Sequence, residues 1–196
     1  MADSKHRARS TWSGWLLGSF GILLIAAGAA VLVAQMTAPE VLERSYGAVK
    51  LAVQSSAEAI ADSVVEASTG ERQLPTATLG ESSSSNGILD LCGGEFYGML
   101  SYESEDATWP PVFAAHNNCG GDVVLSWKLG QEVFLEEAGE KTVYRIVDIR
   151  EIPKTWSTTA DLKGLGGELA LQTCLYGEDF MRFVGLEAVK GGGAEH

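Results

Sequence analysis

Residues 168–183, ELALQTCLYGEDFMRF, end an alternating apolar strand on Cys174 and place Arg182 eight residues further on. A thiol and a guanidinium held together can do acyl transfer: the thiolate attacks a carbonyl, and the cation steadies the oxyanion that forms. An ordinary thiol, with a pKa of about 8.5, is only a few per cent thiolate at neutral pH, so such a nucleophile needs a base or a cationic neighbour. Of the three histidines, His6 lies near the start and His196 is the last residue, which leaves His116. It ends an apolar strand just before the polar, glycine-rich loop HNNCGG, and rigid strand ends are where sites are commonly built. The competing arrangement is a small buried hydrophobe at Cys174 and a structural histidine at 116.

Cysteines stand at 92, 119 and 174, and an odd number facing an oxidising exterior leaves at least one thiol over. Three pairings are open. Cys92 and Cys119 each adjoin a Gly-Gly pair, in DLCGGE and HNNCGGD, which favours Cys92–Cys119 as the disulfide and Cys174 as the free thiol. If YGED forms a hairpin tip centred on residue 178, Cys174 and Arg182 stand opposite each other. Directly opposed residues share a face, with Cβ atoms about 4.5–5.5 Å apart. In that strand Ala170, Gln172 and Cys174 face one way, and Leu169, Leu171 and Thr173 the other.

Several elements must carry these residues. Residues 15–34, WLLGSFGILLIAAGAAVLVA, are uncharged over a length that can cross a hydrocarbon core of about 30 Å. Lys5, Arg7 and Arg9 precede them, so the positive-inside rule puts a cytoplasmic tail at 1–14, a transmembrane helix at 15–35 and the rest outside. The run exceeds the usual length of a cleaved signal, which favours an uncleaved anchor. Residues 36–69 read as a helical stalk, with apolar positions at roughly helical spacing, and 70–87 as a disordered linker containing a serine run. From 88 to 190 about eight short runs rich in Val, Ile, Tyr, Phe and Trp alternate with turn signals, which predicts an all-β, small closed barrel. They are GILDL, EFYGMLSY, PVFAA, DVVLSWK, EVFLEE, KTVYRIVDIR, ELALQTCL and FMRFVGLEAV. Residues 191–196 read as a disordered tail.

The net charge is −12, and 25 of the 26 acidic residues but only 11 of the 14 basic ones lie beyond residue 35. Nucleic acid and anionic lipid surfaces, which require basic patches, are excluded as partners of that region. One internal histidine and three scattered cysteines lack ligand spacing, so no metal is expected, and no cofactor either.

An apolar strand closing on Thr-Cys, a histidine 58 residues earlier, an arginine on the following strand and a membrane-anchored start together resemble the sortase family. LALQTC at 169–174 is similar to the family's TLxTC strand, with Leu169 in place of its first Thr. The resemblance covers residues 88–189 and implies an eight-stranded barrel and a cysteine transpeptidase. It implies Cys174 as nucleophile, His116 as general acid and base, and Arg182 as the group that orients substrate and stabilises the oxyanion. Residues 155–167, with Trp156, Leu162 and Leu165, and Thr173 on the strand, would line the substrate groove. The implied partners are surface proteins with a C-terminal LPxTG-like sorting signal, and an amine of a peptidoglycan precursor or a pilin as acceptor. The asparagines after His116 depart from the pattern of many sortases. L,D-transpeptidases keep Cys and Arg two residues apart, unlike the eight here, and papain-like hydrolases place Cys before His. A catalytically silent barrel serving as a membrane-tethered binding module is the alternative outside enzymes.

Overall fold

The computed structural model describes residues 12–69, 73–103 and 105–193. Most of the expected cytoplasmic tail, the first residues of the expected linker and the last three residues of the chain lie outside them.

The chain opens with two helices, α1 (Trp12–Thr37) and α2 (Pro39–Thr69). Ala38 separates them because the proline that follows has no N–H to continue α1, yet fits the first turn of a new helix, with Glu40 beside its positive end. Residues 15–35 fall within α1. Among the described residues no helix is long and apolar enough to cross a membrane, so the helical character of that run is shown and its membrane-spanning character is not.

Among the described residues seven strands follow: β1 (Thr76–Ser83), β2 (Glu95–Met99), β3 (Val112–Ala114), β4 (Glu132–Glu137), β5 (Glu140–Pro153), β6 (Leu169–Cys174) and β7 (Phe180–Gly193). They close into a barrel in the order β1-β2-β3-β6-β7-β5-β4, with β1 parallel to both β2 and β4, and β3 parallel to β6.

The expected eight strands are corrected to seven, with different members. GILDL is a 3-10 segment, Asn86–Leu91, started by the Ser85 hydroxyl accepting from the Gly87 N–H. DVVLSWK is not a strand either. Its first part lies in the 3-10 segment Gly121–Leu125, and Val124 and Trp127 are buried in the inner core. Short apolar runs of this kind do not distinguish strand from buried turn. Conversely, TATL inside the expected linker belongs to strand β1, which pairs with both β2 and β4 and turns Ala77 and Leu79 inward. The expected disordered tail is also corrected in part, because Gly191–Gly193 continue β7 and Gly193 pairs with Thr142 of β5.

β6 is the central strand. Leu169 and Leu171 face the inner core with Phe96, Val133, Ile146, Val184 and Leu186, while Ala170 faces a second cluster with Val112, Ile152, Leu162, Leu165 and Phe183. Burial on both faces explains why LALQTC reads as nearly continuous apolar sequence. Leu171→Ala would leave a cavity where the side chain is fully buried, and the expected loss is about 2–5 kcal/mol in urea unfolding followed by circular dichroism.

Candidate active site

The register of β3 against β6 builds the site. The two run parallel with Val112 beside Ala170, Phe113 beside Leu171 and Ala114 beside Gln172, a constant offset of 58 residues. Carried two residues further, that offset sets His116 beside Cys174. The ladder does continue: the Ala115 N–H donates to the Gln172 carbonyl at 3.1 Å, and the Thr173 hydroxyl donates to the Ala115 carbonyl at 2.9 Å. His116 is itself extended, and its carbonyl then accepts from the N–H groups of Cys119 and Gly121, which turns the chain sharply. Gly121 sits so close to the Ala115 carbonyl and the Thr173 hydroxyl that no Cβ could fit there. Cys174 and His116 open together on a cavity of about 350 Å³, with Gln172, Tyr102, Met181 and Asp90 also in its wall.

Two features hold His116. Its Nε2 lies 3.2 Å from Asp90 Oδ1, an exposed pair worth at most about 1 kcal/mol in stability that nevertheless orients the ring. Cys92 and Cys119 form a disulfide, joining the segment that carries Asp90 to the loop that carries His116. By the chain-entropy model, closing a loop of this length contributes about 3–4 kcal/mol.

Among the described residues Cys174 is the free cysteine, and it is half-buried. Burial pushes its thiol pKa up; Lys154 pulls it down and Glu43 of α2 adds to the rise, and the net direction is upward. The resting thiol is therefore protonated at neutral pH, and His116 lines the same cavity. The nearby Tyr102 phenol is also raised, first by burial and then by the charge of Cys174.

The hairpin after Cys174 differs from the expected one by a single residue. Cys174 pairs with Met181, and Thr173 with Arg182. The Leu175 N–H closes the turn on the Phe180 carbonyl, so the tip holds an even number of residues and centres between Gly177 and Glu178 rather than on 178. Cys174 and Arg182 consequently lie on opposite faces. The Arg182 guanidinium donates to the Leu125 carbonyl at 2.6 Å and to Glu151 Oε1 at 2.6 and 3.2 Å, away from the cavity.

The other expected site residues are placed as follows. Thr173 is fully buried and bonded to Ala115, Leu162 and Leu165 belong to the core cluster behind β6, and Trp156 stands in solvent with a left-handed backbone. None of the four lines the cavity.

A brace with no local sequence signal lies behind the site. The Tyr176 hydroxyl donates to the Asn117 carbonyl at 2.8 Å and lies 3.1 Å from Asp122 Oδ2, so one phenol ties the Cys174 hairpin to the His116 loop. Lys50 of α2 completes it, 2.6 Å from Asp122 Oδ2 and 3.3 Å from the Tyr176 hydroxyl. Burial draws the Lys50 ammonium pKa down, but its hydrogen bonds to Asp122 and Tyr176 and the charge of Asp122 outweigh this and leave it raised. The Tyr176 ring fills the space where Gly47 has no side chain, Tyr46 packs edge-on against it at 6.0 Å, and Arg44 donates to the Gly177 carbonyl. A lysine 126 residues from its tyrosine partner leaves no local pattern to read.

Two outcomes are expected. The rate of Cys174 alkylation by iodoacetamide inflects above the ordinary thiol value of about 8.5, moving lower in Glu43→Gln and higher in Lys154→Met; an inflection at or below that value contradicts the burial argument. Lys50→Met strands the Asp122 carboxylate, which is 2 % exposed, and costs about 2–3 kcal/mol, below the full cost for a buried pair because the Lys50 side chain is 29 % exposed. The double variant with Asp122→Asn recovers part of that loss in urea unfolding.

No family model matches the chain, and no curated protein matches it. Solved structures similar to it include sortases. Sortase C from Clostridium perfringens is 18% identical with a TM-score of 0.41, over 57% of this chain and 63% of that one. Sortase C1 of Streptococcus agalactiae is 17% identical with a TM-score of 0.40, over 60% and 62%. Sortase A of Listeria monocytogenes is 15% identical with a TM-score of 0.37, over 58% and 83%. The match thus spans less than two thirds of either sortase C chain.

Proposed function

We propose that the chain is a sortase-like cysteine transpeptidase, cutting an LPxTG-like C-terminal sorting signal and passing the surface protein to an amine of the cell wall or a pilin. The observation that carries this reading is the placement of Cys174 and His116 side by side at the ends of parallel strands, opening on one cavity. The LALQTC strand and the order of His before Cys support it. The apolar run within α1 is assigned as the anchor, with the N-terminus cytoplasmic and the barrel at the outer face of the cell membrane.

His116 takes the Cys174 proton as Sγ attacks the scissile carbonyl. The tetrahedral intermediate collapses, the C–N bond breaks, and His116 returns that proton to the leaving amine, leaving a thioester. The acceptor amine then attacks the thioester, His116 takes a proton from it, and the departing sulfur recovers that proton as the new amide forms. Atoms and charge balance with no cofactor.

A second reading, a catalytically silent barrel that only binds surface or wall components, draws on the engagement of Arg182 with Glu151 and Leu125 away from the cavity. Incubation of the full chain with LPxTG-like peptides and an amine, read by mass spectrometry, separates the two. The transpeptidase reading expects an acyl adduct on Cys174 that an added amine consumes, absent in Cys174→Ala, and formed at least about 100-fold more slowly in His116→Ala. No adduct with any peptide, while Cys174 remains open to alkylation, leaves the binding module.

A further inference from the structure

Gln172 has no role in the brace or the hydrophobic clusters, yet it sits at the centre of the site. It is 7 % exposed and lies two residues before Cys174 on the same face of β6, and what exposure it has opens on the cavity. Its backbone carbonyl is taken by Ala115, but its carboxamide has no hydrogen-bond partner among the described residues. The amide is not among the buried polar atoms without a partner, so the little surface Gln172 keeps is at its carboxamide, on the wall of the cavity that Cys174 shares, where a partner can arrive with the substrate. Tyr102, half-buried, lines the same cavity: its ring is held edge-on to Phe183 at 6.0 Å and its carbonyl accepts from Trp109 Nε1 at 2.9 Å, whereas its hydroxyl has no partner among the described residues.

Every carbonyl under attack by a thiolate needs donors aimed at the oxygen that becomes negative. Arg182 faces the other side of the sheet and donates elsewhere. Alternate residues of one strand are about 6.6–6.8 Å apart on the same face, so Gln172 and Cys174 are same-face neighbours in the wall of one cavity.

We propose that the Gln172 carboxamide and the Tyr102 hydroxyl are the donors that polarise the carbonyl attacked by Cys174, in the place the sequence resemblance assigns to Arg182. Both are neutral, so they bind substrate without charge and strengthen their hydrogen bonds only as the oxyanion develops. This assignment rests on the transpeptidase reading and deepens it.

The test uses the full chain and a peptide that acylates it, with single-turnover acylation measured over a range of peptide concentrations. Gln172→Met keeps length and loses the donor; Tyr102→Phe loses only the hydroxyl. The expected result is an acylation rate constant about 100-fold lower in Gln172→Met and about tenfold lower in Tyr102→Phe, with KM changed less than about threefold. Modification of Cys174 by methyl methanethiosulfonate, which presents no carbonyl, stays within about twofold of the unaltered chain, which a general loss of packing would not allow. Acylation rates within about threefold of the unaltered chain overturn the assignment and leave the transpeptidase reading intact. A parallel fall in methanethiosulfonate modification also overturns it, by showing that the side chains only pack. Absence of any thioester in the unaltered chain overturns both readings together.

Discussion

The parallel pairing of β3 with β6 is the constraint on which the rest of this molecule depends. Its constant offset sets one strand end against the other, so the histidine and the cysteine meet without either being near the other in sequence. Parallel neighbours cannot be joined by a hairpin and need a long crossover. Here the excursion between them contains β4, β5 and the buried 3-10 segment Gly121–Leu125, so Cys174 and His116 come together only when most of the barrel has closed. The Thr173 hydroxyl bond to Ala115 and the close approach of Gly121 lock the last step of that register, where a slip of one residue would turn Cys174 into the core.

Around that pairing the structure divides its labour by chemistry. The inner core is apolar and sets the barrel; the buried ion pair lies behind the reactive pair, where Lys50, Asp122 and Tyr176 hold the two loops; and the cavity in front sets Gln172, Tyr102 and methionine thioethers beside His116 and Asp90. A buried ion pair is poor evidence for stability but strong evidence for geometry, because removing one partner leaves a charge with nowhere to go. The raised pKa values of Cys174, Tyr102 and Tyr176 share burial as their first cause. Each group keeps its proton longer in the folded chain than in the unfolded one. Their contribution is therefore complete below the ordinary thiol and phenol ranges and fades as pH rises through them.

What could be read in the sequence was local. The strand LALQTC is legible because both its faces are buried, and the separation of His116 and Cys174 could be counted, although its meaning as a register could not. The position of Arg182 turned on the parity of one hairpin tip, which alternation of side chains alone does not reveal. TATL was hidden by the serines after it, and GILDL and DVVLSWK looked like strands because a few apolar residues in a row satisfy several backbone shapes. The docking of α2 was beyond reach for a different reason. Its contacts join Gly47 and Lys50 to residues more than 70 positions away, through the shape of one aromatic ring and a buried carboxylate.

That docking also fixes a distance. Lys50 stands thirteen residues beyond the end of α1, at most about 20 Å of helix, and it is bonded directly to the loops that carry Cys174 and His116. Whatever holds α1 thus acts as a short, stiff tether, not a flexible leash, and the cavity sweeps a narrow shell above its anchorage. On the transpeptidase reading, a polypeptide would be within reach only if the segment to be cut were presented in that shell, so selection would begin with the height at which a substrate displays its cleavage point, before any side chain is read.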